Sequence, residues 1–115
     1  MNHLTNNEVF ELQEYVTNQL TDIPHILIDE IRVVNGSLFV RFLDVPGFLI
    51  SPLYTYNIFI FKVKGLYKIR YNTQYYDFFV GQPITTTQLY EIEDIDDVFN
   101  VLEDIFDTLR PRDEY

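Results

Sequence analysis

Tyr54–Tyr71 reads YTYNIFIFKVKGLYKIRY. Its first ten residues are dense in aromatic and β-branched side chains, the composition of a strand. Side chains of a strand alternate between its two faces. Phe59, Phe61 and Val63 therefore share one face, and Ile58, Ile60 and Lys62 share the other. Lys64-Gly65 supplies a turn, and Leu66–Tyr71 returns as a second strand. Both faces of the first strand are partly apolar, so helices are expected over one and a partner or second subunit over the other.

The neighbouring segments extend the same pattern. Glu30-Ile31-Arg32-Val33-Val34 and Ser37–Leu43 flank Asn35-Gly36, a pair suited to a type I′ turn because both central residues take φ > 0. Asp44–Pro52 reads as a loop with an apolar tip at Phe48-Leu49-Ile50. Downstream, Asn72-Thr73-Gln74 is expected to turn the chain into a strand at Tyr75–Val80, with Gly81-Gln82-Pro83 closing the sheet and Thr85-Thr86-Thr87 offering capping hydroxyls. The segment 88–93 fits either an edge strand or a helical turn.

Helices are expected at both ends. Thr5 and Glu8 have the spacing of a capping box, Leu4 can staple to Val9, and Val9, Leu12, Val16 and Leu20 form one apolar stripe. Asp22-Ile23-Pro24 ends that helix. At the other end, Glu91–Leu109 reads EIEDIDDVFNVLEDIFDTL. Its apolar residues Ile95, Val98, Phe99, Leu102, Ile105, Phe106 and Leu109 keep helical rhythm, with Asp94 as the N-cap and Arg110-Pro111-Arg112 as the stop. The fold class is thus α+β: one domain spanning 1–115, a four- to five-stranded antiparallel meander flanked by an N-terminal and a C-terminal helix.

Charge bounds the function. Eighteen acids against eight bases leave a formal net charge of −10. Direct contact with nucleic acid calls for a basic footprint, and an anionic membrane surface would repel this chain. A basic protein would be attracted. There is no cysteine, so disulfides and thiolate chemistry are excluded. MNHLTNNEVF has neither the basic nor the apolar part of a secretory signal, and no apolar run approaches the length of a membrane helix. A cytoplasmic protein is expected.

Catalytic patterns are missing. His3 precedes the first helix, in a segment expected to be mobile, and His25 lies in a loop; they are the only histidines. No nucleophile elbow or phosphate loop is present. Asp94-Ile95-Asp96 opens like a calcium loop but lacks its later glycine and glutamate. A non-enzymatic protein without metal or cofactor is expected.

Two candidate surfaces remain. Glu93, Asp97, Asp104 and Asp107 fall on one outer line of the last helix, with Asn100 in the gap and Asp96 and Glu103 beside it; Glu11 and Glu14 extend the negative surface on the first helix. Acids three or four positions apart stand about 5–6 Å apart along a helix axis. A DNA strand carries a phosphate every ~3.4 Å of rise. Such a rail can occupy a groove built for a nucleic-acid backbone. The alternative surface is the aromatic sheet face, with Tyr67, Tyr75, Tyr76 and Phe78. Lys62, Lys64, Lys68 and Arg70 cluster on one hairpin, where they can pair with acids, form a second contact surface or protect a sheet edge.

In size, acidity, lack of cysteine and acid-rich helices the chain resembles the DNA-mimic inhibitors of bacteriophages and mobile elements, such as anti-CRISPR and uracil-DNA glycosylase inhibitor proteins. Glu11-Leu12-Gln13-Glu14-Tyr15-Val16-Thr17-Asn18, followed by Asp22-Ile23-Pro24, is similar to the first helix of one glycosylase-inhibitor family. The resemblance implies a basic, nucleic-acid-binding protein partner in a host cytoplasm. The aromatic face implies instead an interaction module, such as a toxin immunity protein or a homodimer subunit.

Overall fold

The computed structural model describes residues 2–45 and 54–111. In chain order they form α1 (Asn6–Thr21), β1 (Ile26–Val34), β2 (Ser37–Asp44), β3 (Tyr54–Val63), β4 (Leu66–Asp77), β5 (Gln82–Ile92) and α2 (Ile95–Leu109). The five strands are antiparallel and neighbour one another in sequence order, a meander with β1 and β5 at its edges.

Local chemistry sets the element ends. Thr5 Oγ1 accepts the Glu8 N–H at 3.1 Å while Glu8 Oε1 accepts the Thr5 N–H at 2.8 Å, completing the capping box. Asp94 caps α2 by accepting the Asp96 N–H at 3.1 Å. Asn35 and Gly36 both take positive φ, as do Lys64 and Gly65, so two-residue turns join β1 to β2 and β3 to β4. Gly36 is required twice over: a Cβ there would stand 2.8 Å from His3 Cβ. His3, expected in a mobile lead-in, packs on this turn. Its Nδ1 lies 2.7 Å from the Asn35 carbonyl oxygen, and the Leu4 N–H donates to Gly36 O at 3.0 Å.

The far hairpin departs from the expected one. Asn72-Thr73-Gln74 does not turn. It runs straight through β4, paired with Asn57, Tyr56 and Thr55 on one side and with Thr87, Thr86 and Thr85 on the other. None of the three is a glycine that would ease a positive φ, and both flanks provide ladder partners. The reversal comes at Asp77–Gly81. The Asp77 carboxylate accepts the Phe79 and Val80 N–H groups at 2.9 and 3.2 Å, and Gly81, at φ 76°, donates to Asp77 O at 2.7 Å. Thr85–Thr87 consequently belong to a strand rather than a cap, and the ambiguous segment is strand through Ile92. Pro83 is tolerated because β5 is an edge strand. The apolar tip Phe48–Ile50 lies outside the described residues.

Both helices cover the same sheet face. α1 buries Val9, Leu12, Val16 and Leu20 over β1 and β2, and α2 buries Val98, Leu102, Ile105 and Phe106 over β4 and β5. The sheet answers with Leu38, Val40, Phe42, Ile58, Ile60 and Ile69, all fully buried. The helices meet where the Tyr15 ring stands edge-on to Phe99, with centroids 5.2 Å apart. One polar bond fastens α1 to β4: the Tyr67 hydroxyl donates to Glu8 Oε2.

Burial alone would raise the Glu8 carboxyl. The Thr5 N–H, the Tyr67 and Thr5 hydroxyls and the Lys62 charge outweigh it, and the group titrates below its ordinary value. The Tyr67 hydroxyl is pushed up to about 12, first by its bond to Glu8 and then by burial. The stability linked to Glu8 is therefore present above the ordinary carboxyl value and lost as pH falls through the lower folded one. That linked to Tyr67 is complete below its ordinary value and lost as pH rises through the folded one. Tyr67→Phe should lower stability at neutral pH by about 1.5–3 kcal/mol in urea denaturation. The deficit should shrink as pH drops below 4.5, and again as it climbs from 10.0 to about 12. A deficit constant across that range would show that the bond is not linked to either proton.

Candidate partner-binding surfaces

Glu11, Glu14, Glu93, Asp96, Asp97, Glu103, Asp104 and Asp107 are all exposed. Glu93 is not part of the helical line. It precedes the Asp94 cap, so the line on α2 begins at Asp97. Glu91 lies on the opposite side of the sheet, paired with Lys68 at 2.9 Å. Asp96 and Asp97 stand in the first turn of α2, and the other five acids fall into two groups that the outer line did not separate.

The first group surrounds the seam between the helices. Glu11 and Glu14 line a shallow depression with Tyr15 and Asn18. Glu103 and Asp107 approach from α2: the Tyr15 hydroxyl titrates above its ordinary value because of burial, then the Glu103 and Asp107 charges, against an opposing pull from Arg110. Tyr15 thus lies where the helices meet, packed on Phe99 and Phe106 of α2, with Glu11 and Glu14 beside it on α1 and the Glu103 and Asp107 charges close enough to act on its hydroxyl. Arg110 links the ends of the two helices, with ion pairs to Asp22 at 3.3 Å and Asp107 at 3.5 Å.

Asp104 turns the other way. It stands with Tyr56, Tyr71, Gln88, Tyr90 and Thr108 around a cleft of about 470 Å³ between α2 and β3–β5. The Tyr56 hydroxyl titrates well above its ordinary range, through burial first and then its neighbours Tyr71, Asp44 and Tyr54. The Tyr71 hydroxyl is likewise raised by burial. Both hydroxyls are neutral at physiological pH.

The free sheet face carries the bases. Arg32, Phe39, Phe59, Arg70 and Leu89 form one row across all five strands. Arg32 and Arg41 lie over the Phe39 ring at 5.2 and 5.5 Å, and Arg70 over Phe61 at 5.7 Å. Each such contact contributes about 0.5–1 kcal/mol when exposed. Phe39, Asn57, Phe59, Arg70 and Asn72 surround a small hollow of about 190 Å³, where Asn72 Oδ1 is buried without a hydrogen-bond partner. The expected basic cluster is split: Lys62 points to the helix side, over the Tyr67 ring at 4.6 Å, while Lys68 and Arg70 are on the free face. Edge protection is not their role, since β4 is an interior strand.

The expected aromatic set does not form one surface. Tyr67 is 7% exposed and belongs to the core beneath the helices. Tyr75 is on the helix side, 5.5 Å from Tyr54, because its strand parity matches that of Tyr67. Tyr76 and Phe78 do stand exposed at the β4–β5 tip, with ring centroids 4.9 Å apart. The free face is built instead from Phe39, Phe59 and Phe61 with Arg32, Arg41 and Arg70. Alternation within Ser37–Leu43 was the signal that could have placed Phe39 and Arg41 together.

Among the described residues, no group of three or more His, Cys, Asp and Glu side chains could hold a metal ion, and no helix is long and apolar enough to cross a membrane. No family model, curated protein or solved structure matches the chain.

The two sheet faces should respond differently to truncation. Phe42→Ala, beneath the helices, is expected to lower stability by about 3–5 kcal/mol. Phe61→Thr, on the free face, should cost less than about 1.5 kcal/mol. Urea denaturation of the two variants checks this; comparable losses would mean that the free face is structurally covered.

Proposed function

We propose that the protein is a non-enzymatic inhibitor that blocks a nucleic-acid-binding host protein through its acidic helix layer, in the manner of anti-CRISPR and other DNA-mimic proteins of phages and mobile elements. The observation that carries this reading is the segregation of charge. Glu11, Glu14, Glu103 and Asp107 are exposed on the helix side, while Arg32, Arg41, Lys68 and Arg70 stand on the other side of the sheet. A phosphate mimic must keep bases away from its contact face; the hairpin bases Lys68 and Arg70 are kept away, while Lys62 lies over the Tyr67 ring and Arg110 is paired with Asp22 and Asp107 on the helix side. The acids repel one another, which costs stability at low salt. A basic groove would relieve that repulsion and take up the charges. Host cytoplasm is the compartment this role calls for.

A second reading rests on the free sheet face, whose phenylalanine and arginine rows have no covering element among the described residues. There the protein would be an interaction module, either a homodimer subunit or an immunity-type partner of a toxin.

The two separate cleanly. Capture of a partner from host cytoplasm by the acidic face should weaken at least about tenfold between about 50 and 200 mM salt. It should be competed by duplex DNA and be abolished when Glu11, Glu14 and Glu103 are reversed to Lys. The same loss is expected when Asp97, Asp104 and Asp107 are reversed. Capture that survives both reversals and high salt, but is lost with Phe59→Ser, would replace the acidic face with the sheet face.

A further inference from the structure

The seam between the helices accounts for Glu11, Glu14, Glu103 and Asp107, but not for Asp104. That carboxylate stands at the lip of the cleft of about 470 Å³ beside β5. The volume falls within the range of about 300–1,000 Å³ usual for ligand sites. The sheet supplies an aromatic wall. The Tyr56 and Tyr71 rings are parallel to within 8°, with centroids 6.1 Å apart. Tyr56 is held in place from behind by Phe42, stacked at 5.0 Å. Tyr90 is positioned by its own hydroxyl, which donates to Gln88 Oε1 at 2.8 Å and keeps its oxygen free to accept.

The lining offers a carboxylate, hydroxyls, an amide and ring faces, and contains no basic residue. Arg110, the base at the end of α2, is turned toward α1 by Asp22 and Gln19 and is also paired with Asp107 of its own helix. The cleft therefore presents acceptors and negative ring faces with no cation of the described chain among them. That chemistry suits a planar cation carrying several donors. A guanidinium fits better than an ammonium, because it stacks flat on tyrosine while pairing with a carboxylate at its edge.

We propose that this cleft receives an arginine side chain of the basic partner, with the guanidinium over the Tyr71 and Tyr90 rings and paired with Asp104. The identity of the partner rests on the acidic-face reading; the cation site itself does not. It would fix the register of an otherwise diffuse electrostatic contact, since a groove of like charges attracts without specifying position.

The test is an NMR titration of the isotopically labelled protein with N-acetyl-argininamide, at constant ionic strength, beside the neutral citrulline counterpart. Saturable shifts are expected at Tyr71, Gln88, Tyr90, Asp104 and Thr108, with none from the citrulline compound. Asp104→Asn should weaken binding at least about fivefold, and Asp29→Asn, on β1 away from the cleft, should leave it unchanged. Equal shifts from citrulline, or unsaturable shifts spread over Glu11, Glu14 and Glu103, would overturn the site. If the titration fails while the acid reversals still abolish partner capture, the cleft proposal falls and the acidic-face reading stands. If the reversals have no effect but N-acetyl-argininamide binds as described, the cation site stands without that partner.

Discussion

The parity of the three middle strands governs this molecule. In β2 and β3 the even-numbered residues Leu38, Val40, Phe42, Ile58 and Ile60 lie under the helices, and Phe39, Arg41, Phe59 and Phe61 face away. The two-residue turn at Lys64-Gly65 pairs Val63 with Leu66 and so exchanges the parity in β4. There Tyr67, Ile69 and Tyr71 go under the helices, and Lys68 and Arg70 go out. A slip of one residue would bury two unpaired cations beneath α1 and α2, at several kcal/mol each. Register is therefore held by the cost of the alternative as much as by the ladder itself.

That parity also decides what the surface can do. Two apolar helix stripes need cover, and one sheet face supplies it for both. Both polar helix faces then point to the same side of the molecule, and the helices meet where Tyr15 packs on Phe99 and Phe106. The bases that alternate with core residues in β2 and β4 are forced to the opposite side. A sheet with helices above it holds the two charge layers apart by more than a Debye length of about 8 Å at physiological salt. The free-face bases pair within their own layer, Arg32 with Glu30 at 3.4 Å, Arg41 with Asp29 and Glu30 at 3.8 Å and Lys68 with Glu91 at 2.9 Å, so they do not neutralise the acids of the helix layer.

Much of the scaffold was legible from short-range signals. Thr5 with Glu8, Asp94 ahead of Asp96, and Asn35-Gly36 act through hydrogen bonds and backbone preferences spanning a few residues. Asn72–Gln74 was misread as a turn because polar residues between two β-rich runs resemble one; the ladders on both flanks keep it extended. Tyr67 looked like an interface residue, since nothing local shows that Glu8, 59 positions away, receives its hydroxyl. Glu93 fitted the helical spacing, but the Asp94 cap starts the helix after it.

The sequence by itself determined the two helices, the strands from Glu30 to Tyr71, which stripe of each helix is apolar, and that acids crowd the helices while bases crowd the sheet; it did not determine the course of Asn72–Ile92. These follow from periodicity and caps, which depend on neighbours along the chain. Only the tertiary structure decided that both helices share one face, that Tyr15 meets Phe99 and Phe106 across a seam, and that Asp104 overlooks Tyr71 and Tyr90. Those meetings depend on how α2 folds back along β5 and against α1. That packing is set by the joint burial of stripes far apart in sequence, which no local pattern encodes.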